Sequence, residues 1–178
     1  MSYRKLKITE MGRISVEEFR EAEKTPLVVV LDNVRSLYNV GSVFRTADAF
    51  RVAAVVLCGI TATPPHPEIH KTALGAEDSV AWRHFADTVE AVRWLRSEGY
   101  ELLAIEQCEN SVSLPDFLPN VNERYAVVLG NEVHGVQQDV IDACDGCLEI
   151  PQYGTKHSMN VSVTAGIVIY DFWKKLKL

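Results

Sequence analysis

The stretch IPQYGTKHSMNVSVTAGIVIYDFW, residues 150–173, joins a strand to a long apolar helix through a turn crowded with hydrogen-bond donors. Leu148 to Pro151 reads as the apolar end of a short strand, and Tyr153 and Gly154 as a turn. Thr155, Lys156, His157 and Ser158 form a polar cluster. Ser158 or Asn160 is placed to cap the helix, because a side-chain oxygen there takes an orphan N–H of the first turn. From Val161 to Trp173 apolar residues fall on nearly every face, which predicts a helix buried all round. A donor-rich loop delivered onto the start of a buried helix is a place to bind something. The same pattern also suits an ordinary core helix with a polar entry.

Upstream, helix and strand patterns alternate. Residues 1–13 are polar and read as loose or edge-packed. Ser15 and Glu18 make a capping box for a helix running to about Lys24, stopped by Pro26. Leu27–Leu31 is an uninterrupted aliphatic run, the pattern of a strand buried on both faces. A polar loop and Gly41 lead into a helix through Phe50, and Ala53–Cys58 is a second buried strand. A proline-rich loop, 59–67, precedes a short helix near Glu68–Leu74. Val80–Phe85 reads as a strand, the segment from Asp87 or Thr88 to Gly99 as a helix, and Glu101–Ile105 as a strand. Ser111–Asn122 reads as loop, Tyr125–Leu129 as strand and Val136–Ala143 as helix. The alternation predicts an α/β fold with a mainly parallel sheet of about six strands and flanking helices. No repeat or linker divides the 178 residues, so 1–178 reads as one domain, with 1–25 as an N-terminal extension and helix.

The composition, 47% hydrophobic and 24% charged, is that of a soluble globular protein. No apolar run reaches membrane-spanning length and the first residues lack a signal-peptide core, so no membrane partner is expected. Four cysteines in a chain this long are no disulfide framework, which fits a reducing cytoplasm. A net charge of −6 argues against broad non-specific nucleic-acid binding but leaves room for local basic faces. Arg4, Lys5, Lys7 and Arg13 crowd one end, and Lys174, Lys175 and Lys177 the other.

Sites in open parallel sheets gather at the C-terminal ends of the strands. Three strand exits carry unusual chemistry here. At 32–50, Asn39 and Arg45 can offer an amide and a guanidinium fork to phosphate or sugar oxygens; alternatively Arg45 pairs with Asp48. At 129–136, Gly130 and Gly135 bracket Asn131, Glu132 and His134, suggesting a backbone wrapped around a ligand. The phosphate-loop lysine is missing, no G-x-G-x-x-G occurs, and His134 has no partner histidine at helical spacing, so no metal is expected. The third exit is 150–160.

Taken in order, N-x-G-x-x-x-R-x-A (Asn39 to Ala47), L-G-x-E-x-x-G (Leu129 to Gly135) and I-P-x-x-G-x-x-x-S-x-N-V-S (Ile150 to Ser162) resemble the SpoU (TrmH) family of RNA ribose 2′-O-methyltransferases, in the SPOUT superfamily. The resemblance covers about residues 27–173. It implies a deep C-terminal trefoil knot, an exception to the rule against threaded chains. It implies S-adenosylmethionine as cofactor, contacted at Ile105, Leu129, Gly130, Gly135, Ile150, Ser158 and Met159, by backbone groups and aliphatic walls that suit an adenine. Asn39, Arg45, Glu132, Ser158 and Asn160 are the residues it implies for the chemistry. A guanidinium is too weak an acid to give up its proton readily. Arg45 is therefore read as anchoring a phosphate beside the reacting ribose and polarising its hydroxyl. Ser158 and Asn160 would orient Arg45, and Glu132 would tie down its loop. The resemblance further implies a homodimer packed through the C-terminal helix, with Arg45 reaching the partner's cofactor. The substrate implied is a structured RNA. No separate RNA-binding domain is expected, which favours tRNA, read by shape and backbone, over rRNA.

Two rival readings stand beside this one. Cys144-Asp145-Gly146-Cys147 is a C-x-x-C that could be a redox pair or half a metal site, although no second C-x-x-C exists. A catalytically silent RNA-binding protein of the same fold is the other.

Overall fold

The computed structural model describes residues 2–177. Among them seven parallel strands form one sheet: β1 Thr25–Asp32, β2 Val52–Cys58, β3 Trp82–Phe85, β4 Tyr100–Ile105, β5 Val112–Ser113, β6 Arg124–Leu129 and β7 Gly146–Glu149, in the order β3-β2-β1-β6-β4-β7-β5. The seventh, beyond the six expected, is β5. It has two residues, Val112 and Ser113, paired with Leu148 and Glu149 at the sheet edge. A pairing this short leaves no periodic signal, and the segment reads as loop.

The solid aliphatic runs have a direct cause. In β1, Leu27, Val29 and Leu31 point into one core while Val28 and Val30 point into another, and all five are buried. The first core lies under α1 (Val16–Glu21), α2 (Leu37–Ala49), α3 (Pro67–Ala73), α4 (Ala76–Ser79) and α7 (Val161–Lys177). The second lies under α5 (Thr88–Ser97) and α6 (Gln138–Ala143). Both faces are therefore covered, as a parallel sheet requires.

α2 and α7 lie side by side and run parallel. Asn39 meets Asn160 at their N-terminal ends, and Phe50 packs on Tyr170 and Trp173 at their C-terminal ends, with ring centroids 5.8 and 5.4 Å apart. Gly41 lies inside α2, which starts at Leu37 because Ser36 caps it by accepting from the Asn39 N–H. A Cβ on Gly41 would stand 2.2 Å from the Ile69 carbonyl oxygen, so this glycine admits α3 rather than a ligand.

Within the single chain α7 is buried along one side only. Val161, Ala165, Val168, Ile169 and Phe172 are buried, but Val163, Ile167 and Tyr170 are exposed, a stripe at helical spacing. Asn160, not Ser158, is its cap: its Oδ1 accepts from the Ser162 N–H at 2.9 Å and the Val163 N–H at 3.4 Å. At the far end Lys175 is tied to Asp171 at 2.7 Å and to the Leu114 carbonyl. It belongs to the packing rather than to a free basic tail. No helix among the described residues is long and apolar enough to cross a membrane.

Candidate active site

The C-terminal ends of β1, β4, β6 and β7 open on one side of the sheet. β1 ends in Asp32, a fully buried carboxylate that accepts from Thr88 Oγ1 at 2.6 Å, the Asn33 amide at 2.9 Å and the Gln137 N–H at 3.0 Å. Those three donors compensate its burial. They also fix the loop that carries the chain from β1 into α2. Thr61, buried after β2, braces the same loop by accepting from the Val34 N–H and donating to the Leu31 carbonyl.

Onto this braced loop the β6 exit is fastened by Glu132. Its carboxylate accepts from the Arg35 and Ser36 N–H groups and from Asn39 Nδ2, each at 3.0 Å. Burial acts to raise the Glu132 pKa, but these donors and the residue's own backbone N–H outweigh it and hold the carboxyl below its ordinary value. Asn39 spends its other end on the third motif, where its Oδ1 accepts from Asn160 Nδ2 at 3.2 Å. One chain of hydrogen bonds, Glu132–Asn39–Asn160, thus links all three sequence motifs.

Beside this chain lies a cavity of about 850 Å³. Ile105, Leu129, Gly130, Gly135, Ile150, Ser158 and Met159, the seven expected cofactor positions, all line it. Its 130–136 wall is backbone folded on itself: Asn131 and Gly135 exchange N–H···O bonds of 3.0 and 2.9 Å. A Cβ on Gly130 would stand 2.0 Å from the Gly135 carbonyl carbon, and Gly135 has φ +68°. Neither position accepts another residue without moving the loop.

Glu106 and Gln107, the two residues after Ile105, also line the cavity, and the sequence reading stopped short of them. Glu106 accepts from the Gln107 N–H at 2.8 Å and from the Val136 N–H at 3.1 Å, joining the β4 and β6 exits across the cavity. Gln107 Nε2 donates to the His157 carbonyl at 2.7 Å and so holds the third wall. The available signal was an acidic residue directly after a buried aliphatic run. The cavity falls in the size range of small-molecule sites, and its lining is mixed, with aliphatic walls at Ile105, Leu129, Val136 and Ile150 among many polar side chains. Those walls and the Glu106 and Glu109 carboxylates fit a ligand that is part adenine and part cation.

Of the five positions assigned to chemistry, Asn39, Glu132 and Asn160 are brought together, while Ser158 lines the cavity. Arg45 is exposed on α2, does not line the cavity, and makes no hydrogen bond or ion pair among the described residues. Asp48, its alternative partner, accepts instead from Ser79 Oγ at 2.7 Å. Among the described residues no group of three or more His, Cys, Asp or Glu could hold a metal ion. The C-x-x-C has a structural use. Asp145 accepts from Arg96 at 2.7 Å and from the Leu102 N–H at 2.8 Å, fastening β7 to α5 and β4. Burial pushes the Cys144 thiol up to about 12. Cys147 finds its sulfur partner in Cys108 rather than in Cys144.

Several known proteins are similar to this chain over most of its length. A 23S rRNA (guanosine-2′-O-)-methyltransferase of Nitrosomonas europaea is 33% identical over 172 residues, 94% of this chain, and the chain spans 64% of that relative's length. A tRNA (guanosine(18)-2′-O)-methyltransferase of Thermus thermophilus is 29% identical over 92% of this chain and 82% of its own. Among solved structures, the AdoMet-bound rRNA methyltransferase of Sinorhizobium meliloti superposes with a TM-score of 0.79 at 25% identity, over 89% of this chain and 60% of that one. Residues 26–170 match the SpoU rRNA Methylase family from end to end of the site just described, and the chain belongs to that family.

Proposed function

We propose that this protein is an S-adenosylmethionine-dependent enzyme that methylates the 2′-hydroxyl of a ribose in structured RNA. The observation that carries the reading is the cavity: all seven expected cofactor positions line it, and the Glu132–Asn39–Asn160 chain joins it to the first motif. The relatives act at guanosine in tRNA or 23S rRNA, so guanosine is the nucleoside proposed here. Of the two RNAs, tRNA is favoured, because a compact fold can be recognised by shape and backbone. The trefoil knot implied by the family is part of the proposal, with segment 150–160 threaded past the β4 and β6 exits.

When bound, the cofactor supplies an electrophilic methyl group. Everything else falls to the chain's own residues. The walls at 105–109, 129–136 and 150–159 hold the cofactor's apolar and cationic parts out of water. Asn39 and Glu132 fix the start of α2 and hence the direction in which Arg45 projects. Arg45 binds a phosphate next to the target and donates to the ribose oxygen. Charge developing on that oxygen is thereby stabilised, and the in-line approach is fixed.

The site is proposed to be shared across a homodimer. Arg45 stands outside its own chain's cavity, and α7 exposes Val163, Ile167 and Tyr170 around Gly166, where an added Cβ would meet nothing within 4 Å beyond its chain neighbours and the nearby backbone of α7. A mid-helix glycine costs about 0.5–1 kcal/mol relative to alanine, and close approach of a second α7 would give it a use. Subunit mixing tests this. Arg45→Ala and Gly130→Leu are each expected to be inactive, and exchange of subunits to regenerate one working site per mixed dimer. A mixture as inactive as its parents refutes the shared site. Mapping 2′-O-methyl nucleotides in total RNA by mass spectrometry, with and without the gene, tests the reaction and identifies the RNA.

A further inference from the structure

Two of the four cysteines meet at the edge of the cavity, Cys108 in its wall and Cys147 behind it. Cys147, in β7, donates its S–H to the Cys108 sulfur across 2.9 Å and to the Glu106 carbonyl across 3.3 Å. Cys108 sits in the turn after β4 and lines the cavity, and neither residue is fully buried. The two belong to different elements, 39 residues apart in sequence. The other two thiols are placed differently. Cys58 lies in the core under α5, and Cys144 closes α6 and packs against the same core.

We infer that Cys108 and Cys147 are a reversible disulfide site, formed by a dissolved peroxide and opened by low-molecular-weight thiols. Cys108 faces the cavity and meets the oxidant first. Its sulfur attacks one peroxide oxygen, the O–O bond breaks, and a sulfenic acid and one water form. The Cys147 sulfur, already in contact, then displaces the hydroxyl. The S–S bond forms, and the hydroxyl leaves as a second water with the proton that Cys147 had donated. Two thiols lose two electrons and two protons, and one peroxide is reduced to two waters. In a reducing compartment such a bond is transient, which is how intracellular disulfides are commonly used.

The position gives the bond a consequence. Covalent closure draws the sulfurs together by roughly 0.9 Å, since an S–S bond is about 2.05 Å long. The turn that moves carries Glu106 and Gln107, whose side chains hold the Val136 N–H and the His157 carbonyl. Oxidation therefore shifts two clasps of the cavity at once, whatever ligand the cavity takes.

The test uses the full chain with hydrogen peroxide and, separately, oxidised glutathione as probes. Non-reducing peptide mapping should find Cys108 linked to Cys147 and two thiols lost, both restored by dithiothreitol. Cys144→Ser should form the same link. Cys108→Ser should lose no thiol pair, and the wild-type and Cys144→Ser maps decide the matter should that variant fold poorly. A Cys144–Cys147 link, or adducts on Cys108 with no cross-link, would overturn the site. Hydrogen exchange at the Gln107 and Val136 amides should rise about threefold or more on oxidation and recover on reduction. Unchanged exchange there would overturn the coupling to the cavity.

Discussion

Asn160 and Asn39, 121 residues apart, meet through a single side-chain hydrogen bond of 3.2 Å, and each is engaged at its other end in holding its own surroundings. Asn160 caps α7 with the oxygen that the bond leaves free, and Asn39 gives its amide to Glu132. The bond therefore couples the start of the last helix to the loop after the first strand. A double-mutant cycle of Asn39→Ala and Asn160→Ala, read by urea unfolding, should give a coupling free energy of about 1 kcal/mol. Strict additivity of the two would mean that the contact is incidental.

Glu132→Gln should lower stability by about 1 kcal/mol, because a carboxamide offers one acceptor oxygen where the carboxylate offers two to three donors. The pH dependence follows from the direction of its pKa. A carboxyl held below its ordinary value of 4.5 contributes stability that is fully present above that pH and lost as the pH falls through the folded-state value. The gap in thermal midpoint between wild type and Glu132→Gln should thus be constant from neutral pH to about 5 and narrow in more acid solution. A gap that widens towards acid would reverse the assignment.

Arg45→Ala should abolish methyl transfer and leave S-adenosylmethionine affinity nearly intact, since the residue stands apart from its own chain's cavity. Arg45→Lys should recover little, because a point charge does not reproduce the planar fork. Near-native turnover by Arg45→Ala would place the reacting site elsewhere.

Cofactor binding should survive excess chelator in titration calorimetry, as the walls described hold no cluster of three metal-ligating residues. Loss of binding under chelator would end the reading of the cavity as a metal-free cofactor site.

Glu106→Gln should weaken cofactor binding several-fold while leaving turnover at saturating cofactor close to wild type. It removes an acceptor from one of the two amides that the carboxylate joins across the cavity. A fall in turnover with affinity unchanged would assign Glu106 to the chemistry instead.

Strands such as β1 and β6 were legible because burial on both faces demands unbroken aliphatic runs, and the sequence supplies them. The walls of the cavity were legible through their glycines, whose necessity at 130 and 135 is steric and local. β5 was not, because its two residues are strand only by virtue of β7 lying beside them. The exposed stripe of α7 was hidden for a related reason. A helix that is apolar all round in sequence does not declare which side faces its own sheet, and Val163, Ile167 and Tyr170 read like core. Glu106 escaped because a carboxylate after a strand looks like any solvated turn residue. Its meaning comes from an amide thirty residues away, at Val136.

The parallel pairing of α2 with α7 also orders events during synthesis. Ala165, Val168, Ile169 and Phe172 cover the sheet beside α2, and they are translated after every strand of that sheet. Until then Val29, Leu31, Val127 and Leu129 lack part of their cover, so a nascent chain already long enough to form most of the sheet still carries a sticky apolar face. The native state is therefore reached after residues 161–177 are made, and a ribosome stalled shortly before them holds a client for holding chaperones rather than a half-built domain.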